Sequence, residues 1–297
     1  MNKLSDWINS LSKAWDTFWF TPRGGKTLGL IRLLTGLIVF YTHLVWTPLL
    51  HRFLGADGML PPSYRRDFFT SGGFAWSHFD WVASPEITMG IHVLALIVML
   101  MFAMGFWTRI TGIATALFVL SYANRATGAL FGLDQIAAFL TLYLAFSNCG
   151  DSFSLARRLG LGSGQNQSSI RNNIAIRLMQ IHLCIVYLFA GLGKCQGETW
   201  WNGEAIWGAV ASFEYQTIDM TWMANHMWLV GSITLVTLVF EVGYAALIWN
   251  RLTRPAMLLL AIPLHLGIGF CMGMLEFGLV MLVANLAFVE FERQTEA

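Results

Sequence analysis

Lys194 closes an apolar run that also carries Arg177, Gln180, Cys184, Tyr187 and Gly191. The steps between them are 3, 4, 3, 4 and 3 residues, so all six share one helix face. A polar stripe on a helix in lipid must face protein or a wet cavity, because ionisable groups are costly in hydrocarbon. A lysine withdrawn from water loses proton affinity and can act as a general base at neutral pH. Other runs carry shorter stripes: Arg32, Gly36 and His43; Asp134, Thr141 and Asn148; Thr234, Thr237, Glu241 and Tyr244. His265 follows Pro263 by two residues deep in another run. Lys194 and His265 are therefore the candidate catalytic groups. Arg32, Asp134, Arg177, Gln180, Tyr187 and Glu241 are the candidate lining of a polar intramembrane cavity. The same residues could instead tie helices together, Lys194 with Glu241 or Arg32 with Asp134, since structural ion pairs also perturb ionisation. His92 and His182 fall off these stripes and read as hydrogen-bonded core. Met99, Met101 and Met104 read as packing or lipid contact.

No soluble-enzyme signature accompanies the stripes: GxSxG, HExxH, GxGxxG and the phosphate-binding loop are all missing. Gly24-Gly25-Lys26-Thr27 ends like such a loop but lacks its upstream glycine and preceding strand. Cys149, Cys184, Cys195 and Cys271 have no metal-like spacing and no disulfide framework, so no metal site is expected.

The elements that must position these residues are apolar helices. Of 297 residues, 56% are apolar and 12% charged, against about 25% charged in soluble domains; mean hydropathy is +0.58. Part of the solvent must then be lipid, and the bilayer is the expected partner. A net charge of +1 gives no electrostatic case for nucleic acid. The pattern predicts an all-α, polytopic transmembrane bundle of about eight spans: Leu28–Leu50, Ile87–Trp107, Ile110–Asn124, Leu133–Asn148, Ile174–Lys194, Met227–Trp249, Pro255–Met272 and Leu275–Phe291. Lys and Arg are biased to one side. With a cytoplasmic N-terminus, eleven lie inside, while Arg52, Arg65, Arg66 and Arg125 lie outside. Both termini are thus expected in the cytoplasm. The stretch from Cys195 to Asn225 has no Lys or Arg but four acids and four tryptophans, as befits an outer loop anchored at the interface.

Three segments follow: 1–26, 27–291 and a polar tail at 292–297. In the first, Leu4, Trp7, Ile8, Leu11, Trp15, Phe18 and Trp19 recur at helical spacing, with Lys3, Asp6, Lys13 and Asp16 off that face. This suits an amphipathic helix on the membrane surface, or equally one packed on the spans. No cleavable signal peptide is expected there. Arg52–Glu86, with Pro61, Pro62, Gly72 and Gly73, could cap the outer surface. Gly160–Ser169 reads as a flexible linker.

Several stretches together resemble one family. Leu28-Gly29-Leu30-Ile31-Arg32 opens the first span, and Gly105-Phe106-Trp107-Thr108-Arg109 follows the second. Gly132-Leu133-Asp134 opens the fourth, and Gly150-Asp151-Ser152-Phe153-Ser154-Leu155 follows it. Ala190-Gly191-Leu192-Gly193-Lys194 ends the fifth, with Trp201, Gly203, Glu241, Arg254-Pro255 and His265 beyond. In order and spacing these resemble the HTTM (horizontally transferred transmembrane) family, whose membrane domain is shared with vitamin K-dependent gamma-carboxylase. The likeness runs from about Lys26 to Phe291. It implies a multi-span bundle, a bacterial inner-membrane setting, and an apolar ligand such as a quinone or reduced vitamin K. In the carboxylases a lysine in an Ala-Gly-x-x-Lys type segment starts the oxidation of the reduced vitamin, and Lys194 matches that position. The carboxylases also carry a histidine near the start of the fourth span, where this chain has Leu133 and Asp134.

Two readings result. One is a ligand-binding, enzyme-like membrane module with Lys194 as base. The other is a non-enzymatic partner or peptide-maturation component, like SdpB-type members of the family. A wet cavity joining Lys194, Glu241, His265 and Asp134 favours the first. A closed ion pair at Lys194 without room for a ring favours the second.

Overall fold

The computed structural model describes residues 3–61, 76–82, 84–126, 131–161 and 168–291. The middle of the Arg52–Glu86 cap, with Pro62, Arg65, Arg66, Gly72 and Gly73, lies outside the described residues, as do the centre of the Gly160–Ser169 linker and the tail at 292–297. Among the described residues the chain is all-helical, and its one β-bridge joins Arg23 to Ser169. Five helical segments are long and apolar enough to cross a membrane: Lys26–Leu54, Pro85–Met104, Ile170–Lys194, Met227–Leu247 and Arg254–Cys271. Gly132–Phe146 and Leu275–Phe288 are apolar but shorter.

The chain divides into two compact units, one reaching Met179 and resuming at Val289, the other Gln180–Phe288. The first holds α1 (Lys3–Phe20), α2 (Lys26–Trp46), α3 (Leu50–Leu54), α4 (Pro85–Met104), α5 (Thr108–Arg125), α6 (Gly132–Phe146), α7 (Leu155–Arg158) and the start of α8 (Ile170–Lys194). Here α2 packs on α4 and α6, and α5 on α4 and α6. Val39, Ala95, Met99, Val119, Ala137 and Ala138 form the core between them.

Local sequence sets the helix ends. Ser84 caps α4 by accepting from the Ile87 N–H, and Pro85 fills the first position, where a missing N–H costs nothing. The helix stops at Met104, short of the expected Trp107, because Gly105 takes φ +85° and its N–H turns back to the carbonyls of Met101 and Phe102. The Phe106 N–H also reaches Met101 O, completing a glycine stop. Trp107 (φ 45°) and Phe153 (φ 49°) are the non-glycine residues in the left-handed region among those described. That conformation costs a bulky L-residue about 1–2 kcal/mol.

The turns around these two residues are locked. Buried Arg32 donates through Nη1 to Cys149 O (3.1 Å) and through Nη2 to Phe153 O (2.6 Å). Ser154 Oγ donates to Gly105 O, and Thr111 Oγ1 to Phe106 O. The last turn of α1 is held by α8: Asn173 Nδ2 donates to the carbonyls of Phe18 and Trp19, and Arg177 lies 4.1 Å over the Phe18 ring. The rest of α1, residues 5–17, is exposed, with Trp7 at 60% and Trp15 at 62%.

The second unit holds the rest of α8, the short α9 (Glu198–Trp201) and α10 (Ala205–Val210), then α11 (Met227–Leu247), α12 (Arg254–Cys271) and α13 (Leu275–Asn285). α11 packs on α12, and α12 on α13. The last helix ends at Asn285, before the expected Phe291, and gives way to a 3-10 turn at Leu286–Phe288. Pro255 starts α12, while Pro263 lies inside it, where its missing N–H leaves the carbonyl four residues back without a helical donor. Gly278 brings α13 onto α12: a Cβ there would lie 2.3 Å from His265 O.

Candidate functional site

The α8 stripe is turned inward. Gln180, Cys184, Tyr187 and Gly191 are buried, while Ile185 and Phe189 on the opposite face are exposed. In the second unit the stripe meets α11. A Cβ on Gly191 would lie 2.8 Å from Val242 Cγ2 and 2.9 Å from Val242 N. Only a residue without a side chain lets the two backbones come this close, one turn before Lys194. The consequence is an ion pair: Lys194 Nζ lies 2.8 Å from Glu241 Oε2. The lysine side chain is 27% exposed and the carboxylate 10%. On its open side the ammonium lies 5.3 Å from the Trp200 ring centroid, a cation–π distance.

Two turns deeper, Tyr187 carries a second polar group. Its hydroxyl lies 2.5 Å from His265 Nε2 and accepts from Asn285 Nδ2 at 3.1 Å. Tyr244 donates to Asn285 Oδ1 at 2.6 Å. The directions follow from the donor inventory. With the amide donating to the Tyr187 oxygen, the Tyr187 hydrogen is left for His265 Nε2, and a neutral His265 then carries its proton on Nδ1. That nitrogen is buried and has no hydrogen-bond partner among the described residues. A directed chain, Tyr244 to Asn285 to Tyr187 to His265, thus ends in a donor without an acceptor. Gln180 completes the stripe by donating from Nε2 to Ala287 O at 2.8 Å.

The other expected site residues belong to the first unit and have their own partners there. Arg177 donates to Phe18 O and stacks on its ring. Asp134 Oδ2 accepts from the Phe131 N–H and so caps its own helix. Arg32 binds the carbonyls that follow the far end of that helix. The Arg32–Asp134 pairing offered by the sequence does not form, because the chain from Asp134 to Cys149 spans about 20 Å at 1.5 Å per helical residue.

The first unit also contains a cluster that the stripes did not show. Tyr122 is ringed by three histidines, with centroids at 4.7 Å (His43), 5.4 Å (His78) and 5.8 Å (His92). His92 Nδ1 lies 2.5 Å from the Tyr122 hydroxyl and its Nε2 3.0 Å from Thr47 Oγ1. His78 Nδ1 lies 2.6 Å from Ser121 Oγ, and His43 Nδ1 2.8 Å from Val39 O. Burial, aided by the nearby His92, lowers the His78 pKa to about 4. Among the described residues no group of histidine, cysteine and carboxylate side chains is arranged to hold a metal ion. All four cysteines are free thiols.

Comparison with family models, curated protein sequences and solved structures returned no match to this chain.

Proposed function

We propose that this chain is a multi-pass membrane protein of the HTTM type, with eight spans and both termini in the cytoplasm of a bacterial cell. Its second unit, in this reading, binds an apolar ligand bearing an ionisable hydroxyl, such as a hydroquinone. The observation that carries the proposal is the Lys194–Glu241 pair at 2.8 Å. In this reading Lys194 is the base at the end of the stripe, with the Glu241 carboxylate beside it. The His265 Nδ1–H, left without an acceptor, supplies a donor of the kind a ligand carbonyl requires. The remaining spans of the eight, beyond the five of full length, are α5, α6 and α13, and α1 lies on the cytoplasmic membrane surface.

The closed pair itself favours a second reading. A lysine held between Glu241 and Trp200 is also what a strut would look like, and the chain would then be a non-enzymatic partner or peptide-maturation component of the SdpB type. The test is extraction of the purified protein and mass spectrometry of the quinones and lipids carried with it. A quinone at near-equimolar yield supports the ligand-binding reading. Its absence, together with failure to bind added ubiquinol or menaquinol, removes it. Membrane-impermeant labelling of single cysteines at Ser169 and Glu214 should reach them from opposite sides; labelling from one side overturns the eight-span topology.

A further inference from the structure

At the end of the first unit where α2 begins, the two strained residues lie in adjoining turns. Trp107 is 71% exposed and Phe153 53%, and Ile110 beside them is 73% exposed. Glycine is the residue that left-handed turn positions ordinarily take. Two bulky aromatics stand there instead, with their side chains turned away from the protein. Neither turn is loose. Arg32, itself fully buried, grips Phe153 O from inside, and Ser154 bonds to Gly105 O across the two turns. A Cβ on Gly150 would meet Thr108 Oγ1 at 2.9 Å, so the turns are also in direct packing contact.

The polar groups around them are mainly cationic. Arg109, Arg157 and Arg158 are exposed, and Arg109 reaches Asn148 while Arg157 donates to Asp151 O. The neighbouring acid is Asp151, half-buried, whose charge Arg157 and Arg109 both oppose. A pair of outward aromatics in braced turns, with exposed arginines two to five residues along the chain and at the ends of apolar helices, matches the boundary of a bilayer whose headgroups are anionic. Aromatic rings sit at headgroup depth and guanidinium groups take phosphate oxygens in two-pronged fashion.

We infer that Trp107, Phe153, Arg109, Arg157 and Arg158 form a seat for anionic phospholipid, in which the strained turns hold the two rings at the depth of the headgroups. The inference rests on the membrane reading of the chain and not on any role of Lys194. It separates two effects that normally go together. In detergent the rings only strain the backbone; in anionic lipid they also anchor it.

The test is thermal unfolding of the full chain in detergent, in phosphatidylcholine vesicles, and in vesicles of phosphatidylcholine and phosphatidylglycerol in equal amounts. The native protein should gain about 3 °C or more from phosphatidylglycerol. A variant with Arg109→Gln, Arg157→Gln and Arg158→Gln should lose that gain. A Trp107→Gly, Phe153→Gly variant should melt in detergent at or above the native temperature, because the strain is relieved, and yet lose most of the gain. Absence of a phosphatidylglycerol effect on the native protein overturns the inference. So does retention of the full gain by either variant. An equal gain from inorganic phosphate in detergent would assign the arginines to a free anion and overturn the lipid seat.

Discussion

The Tyr187 hydroxyl and His265 Nε2 stand 2.5 Å apart although 78 residues separate them in the chain. Because Asn285 donates to the same hydroxyl, the tyrosine hydrogen is committed to the histidine. Tyr187→Phe should therefore cost more than one lost hydrogen bond. It leaves Nε2 buried without a donor and frees one amide hydrogen of Asn285, which still reaches Met281 O. A loss of about 2 kcal/mol is expected, read as a fall in thermal midpoint, and a cavity-neutral change of zero would show that the bond contributes nothing.

Lys194→Met keeps most of the side chain and removes its charge. Glu241, with its carboxylate 10% exposed, is left without its cation, and the expected cost is about 3 kcal/mol. Adding Glu241→Gln should recover most of it, since the uncompensated charge is then gone. The double variant is the informative one. If it folds like the native protein but no longer retains or binds a quinol, the pair belongs to a ligand site. If it binds unchanged, the pair is a strut.

The approach of α8 to α11 depends on one missing methyl group. Gly191→Ala places a carbon within 3 Å of the α11 backbone, so the helices must shift, at a cost of about 1–3 kcal/mol. Gly193→Ala, two residues later, meets nothing within 4 Å. There the helix should gain about 0.5–1 kcal/mol from the better helix former. Thermal midpoints moving in opposite directions for these two substitutions would confirm the close crossing; equal shifts would not.

A pH dependence follows from His78, which lies outside the spanning helices. Its folded pKa of about 4 is below the ordinary 6.5, so between those values the unfolded chain binds more protons than the folded one. Stability should rise with pH through this window, and on acidification it is lost from pH 6.5 down to about 4. His78→Gln should flatten the slope of midpoint against pH across that range. An unchanged slope would place the acid sensitivity elsewhere.

The helices and the α8 stripe were legible in the sequence because both depend on periodicity, which is local. Lys194–Glu241 was legible as one of two named pairs, since each residue lay on its own stripe and the charges were opposite. Asn285 was not, because a lone amide near the end of an apolar run has no periodic signature. The histidine ring around Tyr122 escaped for a related reason. His78 lies in a loop, and His92 on no stripe, so only tertiary packing brings them together. Arg32 went to backbone carbonyls and not to Asp134, which shows where charge matching misleads. A buried arginine needs acceptors of any kind, and the chain end after α6 was nearer than a carboxylate at its start. Trp107 was read as the end of a span because its hydropathy fits; the glycine stop at Gly105 decides the matter earlier.

The docking of α1 has a consequence for how the protein is made. The groups that hold its last turn come late: Asn173 follows Phe18 by 155 residues. At a synthesis rate of about 5–20 residues per second, α1 leaves the ribosome about 8–30 s before its clasp exists. During that interval the Phe18 and Trp19 carbonyls lack the Asn173 amide that holds them, while Trp7 and Trp15 are exposed even in the folded chain. The last turn of the first helix is therefore secured only when nearly all of the first unit has been translated.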